Sequence, residues 1–289
     1  MKELPDAQIA VIGLGLMGGS LAGALRGQCR TIVGVARRAA TLETARDRKL
    51  IDWGTTDLPG GLHGADVVVL ATPVRVILRL LDEIGSLLPE GCLLMDVGST
   101  KLQIVSAMER LPHHVQPLGG HPMCGKETAG ITAADPALYQ GRTFALTPLP
   151  RTPEEALALG RALVEAAGAH PLVLEAGRHD RLAATISHLP YLLSCALVGT
   201  TEHVATEDPT VWKLAASGYH DTTRLAASDV TMMLDVLLTN REAVIQALDT
   251  CEFQLHHLKR LVEAGDEEGL LTALSAIHDR RIRPGSGPN

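Results

Sequence analysis

The chain has 289 residues, 46% apolar and 20% charged, a globular balance and long enough for one large or two medium domains. Its net charge of −7, from 26 basic and 33 acidic side chains, offers a nucleic-acid backbone no attraction, and no uninterrupted apolar run approaches the ~18 residues of a membrane span. Five scattered cysteines (Cys29, Cys92, Cys124, Cys195 and Cys251) match neither a disulfide framework nor a zinc pattern, and the N-terminus shows no signal segment. A cytoplasmic protein without metal, nucleic-acid or membrane partners is therefore expected.

In chain order, short apolar runs at residues 8–12, 31–35, 66–70 and 92–96 alternate with helical spacing at 17–27 and 39–50. Strands that alternate with helices at this interval predict a parallel sheet covered on both faces. Residues 152–168 predict a helix with Thr152 as N-cap, Pro153 at its first position, Glu155 reciprocating the cap and Gly168 closing it. A last strand is expected at 171–174. Beyond Gly177 only Ala- and Leu-rich helical stretches follow. The expectation is a Rossmann-like doubly wound α/β domain at 1–175 and an all-α domain at 176–289, with 283–289 resembling a disordered tail.

The run Gly13, Leu14, Gly15, Leu16, Met17, Gly18 follows a strand and opens a helix, the setting in which such glycines admit a dinucleotide pyrophosphate. An acidic residue about 20 positions on would hold the ribose of NAD. Here the second strand ends instead in Ala36, Arg37 and Arg38, a pair of guanidiniums suited to the extra phosphate of NADP or simply the solvated start of the next helix. NADP is the favoured cofactor, with NAD as the alternative. Thr72, Pro73, Gly98 and Ser99 follow other strands at the ends where such sheets bind ligands, though Thr72 is equally explained by turn chemistry.

Three polar clusters are candidates for the chemistry: "DVGSTK", "HPMCGKE", and "SHLPY" with "GYHDTTR". The glycines and proline around His121 read as a tight loop rather than a strand or helix interior, which sets it apart from the other eleven of the 12 histidines.

Taken together, "VIGLGLMGGSLA", "ATPV", "DVGSTK", "GGHPMCGKETAG", "SHLPY", "SGYHDTTRLAASD" and "TNREAV" resemble the tyrosine-biosynthesis dehydrogenases, prephenate or arogenate dehydrogenase, over about residues 8–265. The resemblance implies oxidation of a ring alcohol with loss of the ring carboxylate as carbon dioxide. It implies His121 as general base, Ser99 orienting that imidazole beside the nicotinamide, and Arg224 holding a substrate carboxylate. It further implies Asp221 and Glu127 as an ionic pair gating the pocket, Ser187, His188 and Tyr191 near the substrate, and a homodimer formed through the helical domain. Cys124 and Lys126 depart from the family pattern; Lys126 is either a substrate or phosphate contact or a solvated loop residue. Tyr191 stands where prephenate users often carry a second histidine, which with the arginine pair favours arogenate as substrate.

Two other readings stand beside this one. A beta-hydroxyacid dehydrogenase would need a lysine four residues before an asparagine, and neither Asn240 nor Asn289 has one. A non-catalytic NADP-binding sensor would have no use for Ser99, His121 and Arg224 together.

Overall fold

The computed structural model describes residues 2–126 and 128–283. The chain divides into two compact units, Met1–Arg241 and Glu242–Asn289. In the first, β1 (Gln8–Ile12), α1 (Leu16–Leu25), β2 (Thr31–Val35), α2 (Ala39–Asp47), β3 (Trp53–Thr55), α3 (Leu58–Leu62), β4 (Val67–Leu70), α4 (Val74–Ile84), β5 (Leu93–Asp96) and α5 (Leu102–Met108) alternate as expected. Then come β6 (Gln116–Pro122), β7 (Thr143–Pro148), α6 (Glu154–Ala166) and β8 (His170–Val173). The strands form one sheet in the order β3-β2-β1-β4-β5-β6-β7-β8, parallel except for the β6–β7 pair.

The central strands read as unbroken apolar runs because both faces are covered. Ile9 and Val11 of β1 point into the apolar layer shared with α1 and α6, whereas Ala10 and Ile12 point into the layer shared with α4 and α5. Helix α4 presents Val74, Ile77, Leu81 and Ile84 to that second layer, a stripe at helical spacing.

Two local expectations are corrected. His121 lies inside β6, opposite Ala145 of β7, rather than in a loop. The glycines before it serve close packing: a Cβ on Gly120 would sit 2.5 Å from the Asp96 carbonyl oxygen, and one on Gly119 would sit 2.0 Å from Thr147 Oγ1. Thr152 is not the N-cap of α6. Pro153 takes that position, and the Thr152 hydroxyl instead donates to the Pro117 carbonyl while accepting from Leu149 N–H, tying the helix entry to β6. Gly168 does close the helix, with φ +82°.

After β8 the described residues hold no strand. Glu175 caps α7 (Ala176–Ala183) by accepting from Gly177 and Arg178 N–H, and these bonds hold its carboxyl below the usual range. One π turn, Ala184–His188, joins α7 to α8 (Leu189–Ala205); α9 (Val211–Leu214), α10 (Ser217–Thr223) and α11 (Val230–Thr239) follow. The helical run Ala176–Ala205 is long and apolar enough, by length and composition alone, to cross a bilayer, although its first turns carry Arg178, His179, Asp180 and Arg181. The second unit contains most of α12 (Arg241–Ala264) and all of α13 (Glu267–Ile282), which turn at Gly265; Asp266 caps α13 by accepting from Gly269 N–H.

Candidate active site

The strand order reverses between β1 and β4, which opens a crevice at their carboxyl ends. Gly13 sits there with φ +98°, and a Cβ on it would meet the Ala71 carbonyl oxygen and Thr72 Cγ2, both at 2.7 Å. Gly18 is packed equally tightly, 2.0 Å from the Gly13 carbonyl oxygen for an added Cβ, while nothing stands within 4 Å of one on Gly15. The N-terminus of α1 has no side-chain cap, and the buried Thr72 hydroxyl has no protein partner among the described residues. A cradle that excludes Cβ atoms, an uncapped helix start and an orphaned hydroxyl together fit a dinucleotide pyrophosphate.

Around this crevice the expected contacts divide by exposure. The Leu14 side chain is buried in the core, so only its backbone faces the loop; Leu16 and Met17 are half-buried, and the Met17 carbonyl accepts from Tyr139 Oη. Ala36 is half-buried at the end of β2, and Arg37 and Arg38 follow it, exposed. Pro73 occupies the N-cap position of α4. Gly98 donates its N–H to Asp96 Oδ2 at 2.7 Å, and the half-buried Ser99 comes next.

Beneath Ser99 lies a buried ion pair, Asp96 with Lys101, both completely excluded from solvent. Asp96 also accepts from Gly120 N–H at 3.0 Å, and Lys101 Nζ donates to the Gly120 carbonyl at 2.6 Å. Burial pushes the Asp96 carboxyl up and the Lys101 amine down, and their mutual attraction opposes both shifts. The pair thus ties the end of β5 to the residue just before His121.

His121 is buried, and its Nδ1 lies 2.8 Å from His179 Nε2, so its hydrogen-bond partner among the described residues is His179 and not Ser99. His179 Nδ1 lies 2.8 Å from Asp180 Oδ1. Asp180 accepts as well from the backbone N–H of Lys101 at 2.7 Å and of Leu102 at 2.9 Å, capping α5 from across the fold. Asn240 Nδ2 donates to the Asp180 carbonyl at 2.8 Å and approaches His188 Nδ1 at 3.3 Å. Burial, reinforced by His179, Lys101 and His188, holds the His121 imidazole well below its ordinary value, and burial draws His188 down to about 4. Both rings are neutral at neutral pH.

The remaining expected residues are more peripheral. Ser187 is exposed on the π turn that ends in buried His188. Tyr191 is half-buried in the first turn of α8, where burial and a hydrogen bond with Cys195 push its phenol up. Asp221 and Arg224 are exposed one turn apart, at the end of α10 and just beyond it. Lys126 is engaged by Asp135 at 2.8 Å, and Glu127 lies outside the described residues. Sequence reasoning missed His179, Asp180 and Asn240; the adjacent His-Asp pair, flanked by Arg178 and Arg181 just before the apolar stretch of α8, was the available signal.

A pyrophosphate cradle and a buried neutral imidazole at the carboxyl ends of one sheet define a dinucleotide-dependent dehydrogenase. Residues 21–173 match the nucleotide-binding domain of prephenate dehydrogenase and residues 175–276 its dimerization domain. The chain is 32% identical to the prephenate dehydrogenase of Bacillus subtilis over 97% of its own length and 76% of that protein. It also resembles the crystal structure of Aquifex aeolicus prephenate dehydrogenase in complex with hydroxyphenyl propionate and NAD+, with TM-score 0.91 and 32% identity over 97% and 99% of the two chains. Synechocystis arogenate dehydrogenase is similar too, with TM-score 0.84 and 31% identity over 95% and 98%. The chain belongs to the prephenate dehydrogenase family.

Proposed function

We propose that this enzyme oxidises arogenate in preference to prephenate, with NADP as the preferred cofactor, and releases the ring carboxylate as carbon dioxide. The observation that carries the reading is the placement of His121: a neutral buried imidazole whose Nδ1 is occupied by His179, leaving Nε2 for a substrate. The dinucleotide, when bound, supplies the hydride acceptor. As the carbinol C–H bond gives up its hydride, His121 Nε2 takes the hydroxyl proton. The electron pair of the bond to the departing carboxylate then moves through the ring toward that oxygen, and the ring becomes aromatic.

In this reading Gly13, Gly15, Gly18, the α1 N-terminus and Thr72 hold the pyrophosphate, and Ser99 stands beside the nicotinamide. Arg224 receives a carboxylate of the substrate, with His188 and Tyr191 shaping the pocket and Asp221 with Glu127 gating it. The exposure of Arg37 and Arg38 at the end of β2 supports the choice of NADP. The exposed stripe of Val230, Leu234 and Leu238 on α11, spaced by four, supports a homodimer, in keeping with the match to a dimerization domain. The test is reduced-cofactor formation from each acid with each dinucleotide, in the wild type and in Arg37→Ala. Faster turnover of arogenate, and a loss of about tenfold in apparent NADP affinity in the variant, are expected. Indifference of the variant to the 2′-phosphate would remove the cofactor assignment, and faster turnover of prephenate the substrate assignment.

A further inference from the structure

We propose that His179, anchored by Asp180, is a positioning residue that holds His121 in its Nδ1–H tautomer and so reserves Nε2 as the proton acceptor. The inference rests on the reading of His121 as the base. Both carboxylate oxygens of Asp180 accept backbone N–H bonds, from Lys101 and Leu102, so the carboxylate is anchored as an acceptor. His179 Nδ1, at 2.8 Å from Oδ1, must therefore donate. In a neutral His179 that leaves Nε2 without a proton, and the 2.8 Å contact to His121 Nδ1 is satisfied only if His121 donates. The lone pair of His121 is thereby confined to Nε2.

The constraint matters because a neutral imidazole left to itself favours the opposite tautomer, with the proton on Nε2. That form would present a donor to the substrate hydroxyl and could not take its proton. The rings meet edge to face, 5.0 Å between centroids at 71°, which fixes the orientation of His121 as well as its tautomer. The other charged or titratable neighbours cannot do this. Lys101 Nζ is committed to Asp96 and the Gly120 carbonyl, and His188 Nδ1 is met by Asn240. Ser99 makes no hydrogen bond with His121 among the described residues, so the orienting task expected of it falls to His179.

The test reads the tautomer directly. In ligand-free wild-type protein labelled with nitrogen-15 histidine, near neutral pH, His121 should show a protonated Nδ1 and an unprotonated Nε2. In His179→Leu the Nε2–H form should grow, and kcat should fall by about a hundredfold with KM for the acid little changed, since tautomer errors in comparable dyads cost up to about ten-thousandfold. His179→Gln, whose amide can accept from His121 and donate to Asp180, should recover at least about tenfold of that loss. A wild-type His121 protonated at Nε2, a loss of less than about tenfold in His179→Leu, or a Gln variant no better than Leu would each overturn the proposal. The wild-type spectrum decides even if a variant fails to fold. Retained turnover in His121→Asn would instead sink the base reading, leaving the tautomer result intact.

Discussion

The sheet and the helices that follow it, α7 to α11, treat polarity in opposite ways. In β1, β4 and β5 nearly every side chain is apolar and buried, on both faces. In the helices the buried residues include His179, Asp180, His188, Asp235, Thr239 and Asn240, whereas Leu182, Ile186, Leu193 and Leu234 are exposed. The sheet draws its stability from its own core, at roughly 25 cal/mol per Å² of apolar surface removed from water. The helices direct His179 and Asp180 toward His121, pair Asp235 with Arg75 and Thr239 with Thr100, and leave apolar side chains exposed. Chemistry, fold and assembly should therefore fail separately when each region is damaged.

The largest effect is expected at the meeting point of the two regions. His121→Asn should lower kcat by about a thousandfold or more with little change in the melting curve, because strand pairing at this position is made by the backbone. The wild-type pH profile sharpens the point. Since the His121 pKa lies well below 6.5, its base form persists as pH falls past that value, and kcat/KM should show no acid limb there. A limb centred at 6.5 from this residue would contradict the burial argument.

Lys101→Met should act on the fold instead. It leaves the Asp96 carboxylate buried with only the Gly98 and Gly120 amides as partners, at a cost of about 3 kcal/mol in a denaturant titration. An unchanged midpoint would show that the pair contributes nothing to the joint between β5 and β6. The smallest effect is expected at the exposed helical stripe: Leu234→Glu should weaken dimer association by roughly tenfold to a hundredfold in sedimentation, with the monomer still folded. A wild-type chain that is monomeric at micromolar concentration would show that the exposed helical stripe does not serve a second copy.

Much of this was legible in the residues. The parallel strands β1, β2, β4 and β5 announced themselves as short apolar runs, and the glycine loop stands at the switch point where its spacing implied. Three strands did not show. β3 is three residues long with an exposed Trp53. β6 contains Gly119, Gly120 and Pro122, residues that ordinarily punctuate loops, and their reason for being in a strand is the approach of Asp96 and Thr147, which only the assembled sheet reveals. β7, the antiparallel partner that completes the setting of His121, was missed as well. Thr152 was misread because its local capping signal lost to a long-range bond with Pro117. His121 stands out through its neighbours in sequence, but its hydrogen-bond partner lies 58 positions away, beyond the reach of any local pattern.

The single π turn at Ala184–His188 carries a consequence for how this chain can vary. It amounts to one surplus residue in an otherwise continuous coil, and each α-helical residue advances the winding by about 100°. Losing one position between His179 and His188 would restore ideal winding yet rotate the His-Asp dyad relative to His188, away from the arrangement in which Asn240 reaches both the Asp180 carbonyl and His188. The irregular turn works as a phase spacer, so the length of that stretch should tolerate far less change than its composition.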